Sequence, residues 1–105
     1  NAIRGVGLGC EFNPSGSKGN VIEFATIATL GSAQDFGDTI QSGIAEGSTM
    51  SSETRAVYCG GITPSGDNTM QYVQIMTTGD SVDFGDLTIG RGHGDACSNA
   101  HGGLG

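Results

Sequence analysis

The chain has 105 residues and a mass of 10.6 kDa, which fits one small domain and excludes a multidomain organisation. Twenty residues are Gly, without a three-residue period and with only two Pro, so collagen and Pro-rich linkers are excluded and the glycines are expected in turns. Eleven acidic residues against four basic ones give a net charge of −7, which argues against binding to nucleic acid or to an anionic membrane surface. No apolar run approaches the ~18 residues of a membrane span, so no membrane insertion is expected.

The first half of the chain contains three segments with strand character. Strands are predicted near 4–9, 20–28 and 35–40, and in 20–28 the apolar and polar residues alternate with the period of a half-buried strand. The nearest approach to a helix is at 40–50, where two glycines each cost about 1 kcal/mol in a helix and the apolar spacing is poor. No helix is therefore predicted.

The second half repeats this order with additional strands. The predicted strands lie near 44–50, 55–60, 69–76, 83–89 and 92–98. Between the second and third of these stands Pro64-Ser65-Gly66-Asp67, in which Pro sets φ and Gly supplies a positive φ. This turn chemistry predicts a hairpin.

An internal repeat explains the recurring order. The matching segments are 20–27 (NVIEFATI) with 68–75 (NTMQYVQI) and 35–38 with 83–86 (both DFGD) at an offset of 48, Arg4 with Arg55 at 51, and Gly47 with Gly94 at 47. The small differences in offset fall between the matched segments, where loops are expected. The predicted organisation is one repeat region, 1–105, with a first unit at about 4–50, a second at about 51–98 and a partial third at 99–105.

Several phrases of the second unit resemble the kelch blade. They are residues 57–61 (VYCGG), 68–72 (NTMQY), 83–87 (DFGDL) and 91–94 (RGHG). The chain departs from that pattern in having Phe36 and Phe84 where kelch blades usually carry Trp, and in reading GLGC at 7–10 in place of Gly-Gly. The resemblance implies an all-β fold of kelch-like β-propeller blades, that is, two four-stranded antiparallel units of about 48 to 50 residues and the start of a third.

Two longer phrases resemble the tandem repeats of virion structural proteins of marine cyanophages, of the tail or fibre type. They are residues 60–65 (GGITPS) and 77–88 (TTGDSVDFGDLT). This resemblance concerns scaffold positions and brings no catalytic residue with it. It implies a virion or extracellular location.

The predicted strands assign three to the first blade, four to the second and the beginning of a third. Because a propeller typically closes with 4–8 blades, two blades cannot close a ring. We therefore expect neighbouring copies, or further repeats of the same chain, as partners. Contacts of this head-to-tail type build either a ring or a filament.

No residue pattern predicts a catalytic or metal site. The Asp pairs of the two DFGD motifs offer only a fragment of a calcium site and are expected in a turn with a buried Phe. The cluster His93, Asp95, Cys97 and His101 contains metal-ligand types, but its counterpart in the first unit has neither His nor Cys. No enzyme activity, metal or cofactor is expected.

The remaining candidate residues concern packing and recognition. Arg4, Arg55 and Arg91 stand at predicted strand entries and are expected to pair with an Asp of a neighbouring blade, such as Asp38 or Asp86. The loops at 13–19 and 63–67 are expected to emerge at one end of the blades, where recognition usually occurs. The aromatic candidates for a sugar surface are Phe12, Phe24, Tyr58 and Tyr72, and Cys10 and Cys59 are placed to pair if their Cα atoms lie within about 7 Å.

These observations favour a non-enzymatic structural and interaction module of a virion or extracellular assembly. The alternative is a lectin-like propeller that closes by oligomerisation and binds a host-surface glycan, with a host-surface protein as a further partner class. An extracellular filament subunit is the third reading.

Overall fold

Seven strands in two antiparallel sheets form the fold in the computed structural model, which describes residues 1–12, 16–62 and 65–99. The first sheet contains β1 (Arg4–Phe12), β2 (Ser17–Thr26) and β3 (Gln34–Asp38). The second contains β4 (Ser48–Ser51), β5 (Arg55–Cys59), β6 (Asp67–Gln74) and β7 (Val82–Arg91). Neighbouring strands follow one another in chain order in both sheets. The all-β prediction is confirmed, since the described residues contain no helix and hence none able to cross a membrane.

The strand positions agree with the sequence for seven of the eight predicted strands. The first sheet has three strands, which correspond to the three predicted near 4–9, 20–28 and 35–40. It therefore lacks the fourth strand of a full unit. The strand expected at 92–98 is absent, and residues 92–99 lie outside any strand. The physical reason lies at His93, whose φ of 55° is incompatible with an extended backbone. Residues 100–105, which hold most of the predicted third unit, are outside the described part of the chain.

The two sheets share one strand register. In the first sheet Arg4 lies opposite Thr26, and in the second Arg55 lies opposite Gln74, which are the same two positions of the repeat. The irregularity between β2 and β3 falls after Ile22, and that between β6 and β7 falls after Met70, again at equivalent positions. The sequence match thus corresponds to the backbone pairing at these positions, whereas the irregularities at Leu8/Cys10 and at Asp67/Thr69 each occur in one sheet alone.

Each sheet has two distinct faces, because side chains alternate along a strand. We call one the stack face, formed in the first sheet by Arg4, Val6, Leu8, Ile22, Phe24 and Phe36, and in the second by Arg55, Val57, Cys59, Met70, Tyr72 and Phe84. We call the other the cover face, formed in the first sheet by Gly5, Gly7, Glu23, Ala25 and Ile27, and in the second by Ala56, Tyr58, Gln71, Val73 and Ile75.

The core forms where the stack face of the first sheet packs against the cover face of the second. The buried cluster contains Leu8, Ile22, Phe24, Phe36, Ile44, Ala56, Tyr58, Val73 and Ile75, with Val6 packed against it. Phe36 is 3% exposed and Ile75 is 1% exposed. A sheet of three or four strands needs such a partner, because one apolar face left in water would forfeit the burial that stabilises it.

A close backbone approach joins the edge of the first sheet to the second. The turn after β6 lies along β3, where the Gly79 N–H donates to the Phe36 carbonyl at 2.7 Å and the Ser81 N–H donates to the Asp38 carbonyl at 2.9 Å. Gly37, with φ 154°, lies against this turn, and a Cβ atom there would overlap the Gly79 carbonyl. Glycine is needed at this position both for its φ and for the space.

We predict that Gly37→Ala destabilises the chain by about 1–3 kcal/mol more than Gly85→Ala does, because only the former overpacks a backbone contact. Gly85 is a matched control, since it has φ 145° at the equivalent position and no atom within 4 Å of an added Cβ. Urea unfolding of dilute protein measures both free energies of unfolding. If both variants lose the same free energy of unfolding, glycine is required at position 37 by its φ and not by the contact with the Gly79 turn.

Candidate interaction faces

An arginine stacked on an aromatic ring occurs once in each sheet. The Arg4 guanidinium carbon lies 4.2 Å from the Phe24 ring centroid, and that of Arg55 lies 4.5 Å from the Tyr72 centroid. Such cation–π contacts contribute roughly 0.5–1 kcal/mol at exposed sites and more when desolvated. The planar, weakly hydrated guanidinium suits this stacking better than a lysine would.

A second aromatic ring completes each stack. Phe24 and Phe36 meet edge to face with centroids 5.9 Å apart, and Tyr72 and Phe84 meet in the same way at 6.0 Å. The interplanar angles are 79° and 78°. This arrangement is a preferred one for aromatic pairs, because the positive ring edge contacts the negative ring face. The stack is therefore a repeated element of the fold.

The predicted pairing of the arginines with aspartates is wrong for Arg4 and Arg55. Within the described residues, neither forms an ion pair with Asp38 or Asp86, and the guanidinium groups lie on the rings. Arg4 Nη1 also donates to the Ile75 carbonyl of the second sheet at 3.2 Å. The arginine thus joins the stack of its own sheet to the cover face of the next.

Gln71 is the polar centre of the contact between the sheets and is fully buried. Its Oε1 accepts the Ile40 N–H at 2.9 Å and the Ser81 hydroxyl, and its Nε2 donates to Gln41 Oε1 at 2.9 Å. No sequence pattern described above predicted this role for Gln71. The available signal was a polar side chain in the same alternation phase as Val73 and Ile75.

The DFGD motifs lie within β3 and β7, so the prediction of a turn at these positions is wrong. Each motif coincides with the register irregularity of its sheet, and the Gly85 N–H donates to Asp83 Oδ1 at 3.2 Å. The predicted burial of the Phe holds for Phe36 and fails for Phe84, which is 48% exposed. The two equivalent rings differ because Phe36 packs against the second sheet, whereas no further sheet of the described residues covers Phe84.

The residues of the candidate metal cluster are not brought together. His93 Nε2 lies 2.9 Å from Glu46 Oε2, and the His93 N–H donates to the Glu46 carbonyl at 2.8 Å. Among the described residues, no group of three or more His, Cys, Asp or Glu side chains is placed to hold a metal ion. His101 lies outside the described part.

Two of the four aromatic candidates for a sugar surface, Phe24 and Tyr58, are core residues. Tyr58 is 2% exposed, and its Oη accepts the Gly47 N–H at 2.9 Å. Burial raises the pKa of the Tyr58 hydroxyl, and this hydrogen bond lowers it by less. Phe24 is buried, Tyr72 is half-buried beneath Arg55, and the side chain of Phe12 lies outside the described set. A sugar platform at Tyr58 is therefore wrong, because its ring fills the core.

The two hairpin ends lie side by side. The Lys18 ammonium, next to the β1–β2 turn, donates to the Ile62 carbonyl of the β5–β6 connection at 3.1 Å. The expectation that both loops emerge at one end agrees with this contact, although residues 13–15 and 63–64 of those loops lie outside the described part.

Two cavities occupy equivalent places in the two units. A cavity of about 260 Å³ between the sheets is lined by Arg4, Val6 and Ser51 and is closed by Ala56 and Ile75 of the cover face. A cavity of about 540 Å³ on the stack face of the second sheet is lined by Arg55, Val57 and Ser98, the equivalents of the first three, and by Phe84. In each lining a single side chain is charged, Arg4 or Arg55.

The described thiols differ in their surroundings. Cys59 and Cys97 are both free, the first buried and the second exposed, so the structure does not pair Cys59 with Cys10. Burial raises the pKa of the Cys59 thiol. Since the thiolate is the reactive species, Cys59 is the less reactive of these two.

No protein-family model matches the chain, and a comparison with curated proteins found no match.

We predict that Gln71→Leu lowers the free energy of unfolding by about 1–3 kcal/mol, because it removes the hydrogen bonds of Gln71 to Ser81 and Gln41 inside the contact and leaves the Ile40 N–H with Ser81 Oγ as its acceptor. Glu23→Leu is the matched control, since Glu23 is the equivalent residue of the first sheet and is exposed. We expect it to change stability by no more than about 0.5 kcal/mol. Urea unfolding compares the two, and similar losses would contradict a special role for Gln71.

We further predict that iodoacetamide modifies Cys97 well before Cys59 at pH 8, because the Cys59 thiol is buried and its raised pKa keeps it protonated. Peptide-resolved mass spectrometry over a time course separates the sites, and labelling in urea provides the control for intrinsic reactivity. Equal rates for the two thiols in native protein would contradict the burial of Cys59.

Proposed function

We propose that the chain is a non-enzymatic structural module in which the two sheets are neighbouring blades of a kelch-like β-propeller. The observation that carries the proposal is the repeated stack of Arg, ring and second ring at equivalent positions of the two sheets. The equal register and the packing of a stack face on a cover face support it further, since propeller blades pack face to face around an axis.

The proposed role is to present loops from a rigid scaffold in a virion or extracellular assembly. The contact from Lys18 to Ile62 supports a common end for the two hairpins, and connections on a rigid scaffold commonly carry recognition. The assignment to a virion rests on the resemblance of residues 60–65 and 77–88 to cyanophage virion repeats. In this role the chain's partners are neighbouring copies or further repeats of the same chain.

Binding of a host-surface glycan is the second candidate. The cavity on the second sheet favours it, because an exposed ring, Phe84, stands there beside hydroxyl groups and Arg55. Apolar surface combined with a few polar groups is typical of small-ligand sites. Sugar binding would add host attachment to the structural role.

The test is immunogold labelling with an antibody raised against the purified chain, applied to virion, secreted and cell fractions of the producing culture. We expect label on virions or on extracellular particles, because a structural module remains in the assembly that it builds. Label confined to the cell interior would contradict the proposal. A glycan array with the wild-type chain and with Phe84→Ala addresses the second candidate, and an array without signal would remove it.

A further inference from the structure

The stack face of the second sheet is exposed around Phe84, unlike its equivalent in the first sheet, although Val57 and Cys59 of the same face are buried. Phe84 is 48% exposed, whereas the equivalent Phe36 is 3% exposed. The cover face of the first sheet is open in the same way, with Ile27 60% exposed and its equivalent Ile75 1% exposed. Every member of this cover face, Gly5, Gly7, Glu23, Ala25 and Ile27, is exposed.

We propose that the stack face of the second sheet binds the cover face of the first sheet of a second copy of the chain, head to tail. This inference rests on the proposed function and names its partner and its contact residues. The occupant follows from continuity with the contact inside the chain, which already joins these two kinds of face. A second copy offers the same cover-face positions in the same register.

The cavities show what the second copy would fill. The cavity between the sheets measures about 260 Å³ and has Ala56 and Ile75 in its lining, whereas the equivalent cavity of the second sheet measures about 540 Å³. The counterparts of Ala56 and Ile75 are Gly5 and Ile27 of the second copy. Placing Ile27 over Arg55 and Val57 would reproduce the lining of the smaller cavity.

The backbone at the sheet edge points to the same occupant. Inside the chain, the turn at Gly79 lies against Gly37, whereas Gly85, the equivalent of Gly37, has nothing within 4 Å of an added Cβ, and Gly31 is the equivalent of Gly79. Both keep a positive φ, 145° at Gly85 and 149° at Gly31. The 29–33 turn of a second copy would therefore fit along β7 as the 77–81 turn fits along β3.

The polar contacts have counterparts as well. Arg4 donates to the Ile75 carbonyl, so Arg55 would donate to the Ile27 carbonyl of the second copy. The Gly79 and Ser81 N–H groups donate to β3, so the Gly31 and Ala33 N–H groups would donate to β7. The acceptors in these contacts are backbone carbonyl groups, so they are present whichever side chains differ between the two units.

Of the five cover-face positions, only that of Ile27 and Ile75 carries the same residue in both sheets, and the difference at Glu23 introduces a charge. Glu23 occupies the place of Gln71, whose Oε1 accepts the Ile40 N–H. At the new contact Glu23 would accept the Thr88 N–H, but its charge must lose water on binding. Glu23→Gln removes that penalty and should tighten the association.

The contact joins two different faces, so it is heterologous and leaves one free face at each end of a dimer. Repetition of the same contact gives a ring when the rotation closes and a filament when it does not. Two copies joined stack face to stack face would instead form a closed dimer. The two geometries can be separated with single-face variants.

The experiment is sedimentation velocity of the full chain over a dilution series. The variants are Phe84→Asp on the stack face, Ile27→Asp on the cover face, and Ile40→Asp as the control, since Ile40 is 49% exposed and belongs to neither face. We expect the wild type and the control to associate equally, each face variant to raise the Kd at least about tenfold, and Glu23→Gln to lower it. Circular dichroism verifies that each variant is folded. If Phe84→Asp does not fold, Ile27→Asp still tests the contact independently.

Mixing the two face variants gives the decisive result. Phe84→Asp retains an intact cover face and Ile27→Asp an intact stack face, so the mixture should form a one-to-one heterodimer and nothing larger. Self-association of Ile27→Asp alone at wild-type strength would overturn the inference in favour of contact between two stack faces. A wild-type chain that stays monomeric, or a mixture that does not associate, would also overturn it.

The failure of this inference is distinguishable from that of the proposed function. A monomeric chain whose antibody labels virions would overturn the head-to-tail contact and leave the structural role standing. Head-to-tail association of a chain found only inside cells would overturn the role in a virion or extracellular assembly and leave the head-to-tail contact standing. A glycan bound at Phe84 by a monomeric chain would assign the open face to a sugar and overturn the contact.

Discussion

Burial of a stack face under a cover face is the contact on which the rest of the structure depends. A three-stranded or four-stranded sheet of this size has one face rich in apolar side chains and gains stability only when another layer removes that face from water. The first sheet meets this requirement with the second, and Arg4 links the two by stacking on Phe24 and donating to the Ile75 carbonyl. The second sheet has the same need around Phe84, and among the described residues no further sheet covers it there.

The differences between the two units follow from which faces are covered. Phe36 and Phe84 belong to the same motif, yet one ring is buried and the other is half exposed. Gln71 is buried with three hydrogen-bond partners, whereas Glu23 at the same position faces solvent, where a carboxylate remains hydrated at no cost. The charged Glu23 therefore lies where water solvates it, and the uncharged amide of Gln71 lies where protein groups supply its hydrogen bonds.

The cavities of the two units share one chemical feature. The cavities in the two equivalent positions each contain one charged side chain, an arginine, and in each sheet that arginine stacks on a ring. The same contact thus recurs in both units.

The sequence by itself determined the strands, their order and their repetition, because period-two alternation and Gly-rich turns are local properties that a strand expresses wherever it lies. It also determined the positions of Arg4, Arg55 and the four rings of the stacks. Only the tertiary structure decided that these arginines contact rings and not aspartates, that Tyr58 belongs to the core, and that Gln71 joins the sheets. Each of these depends on which face meets which, and residues distant in sequence settle that through packing that no local pattern records.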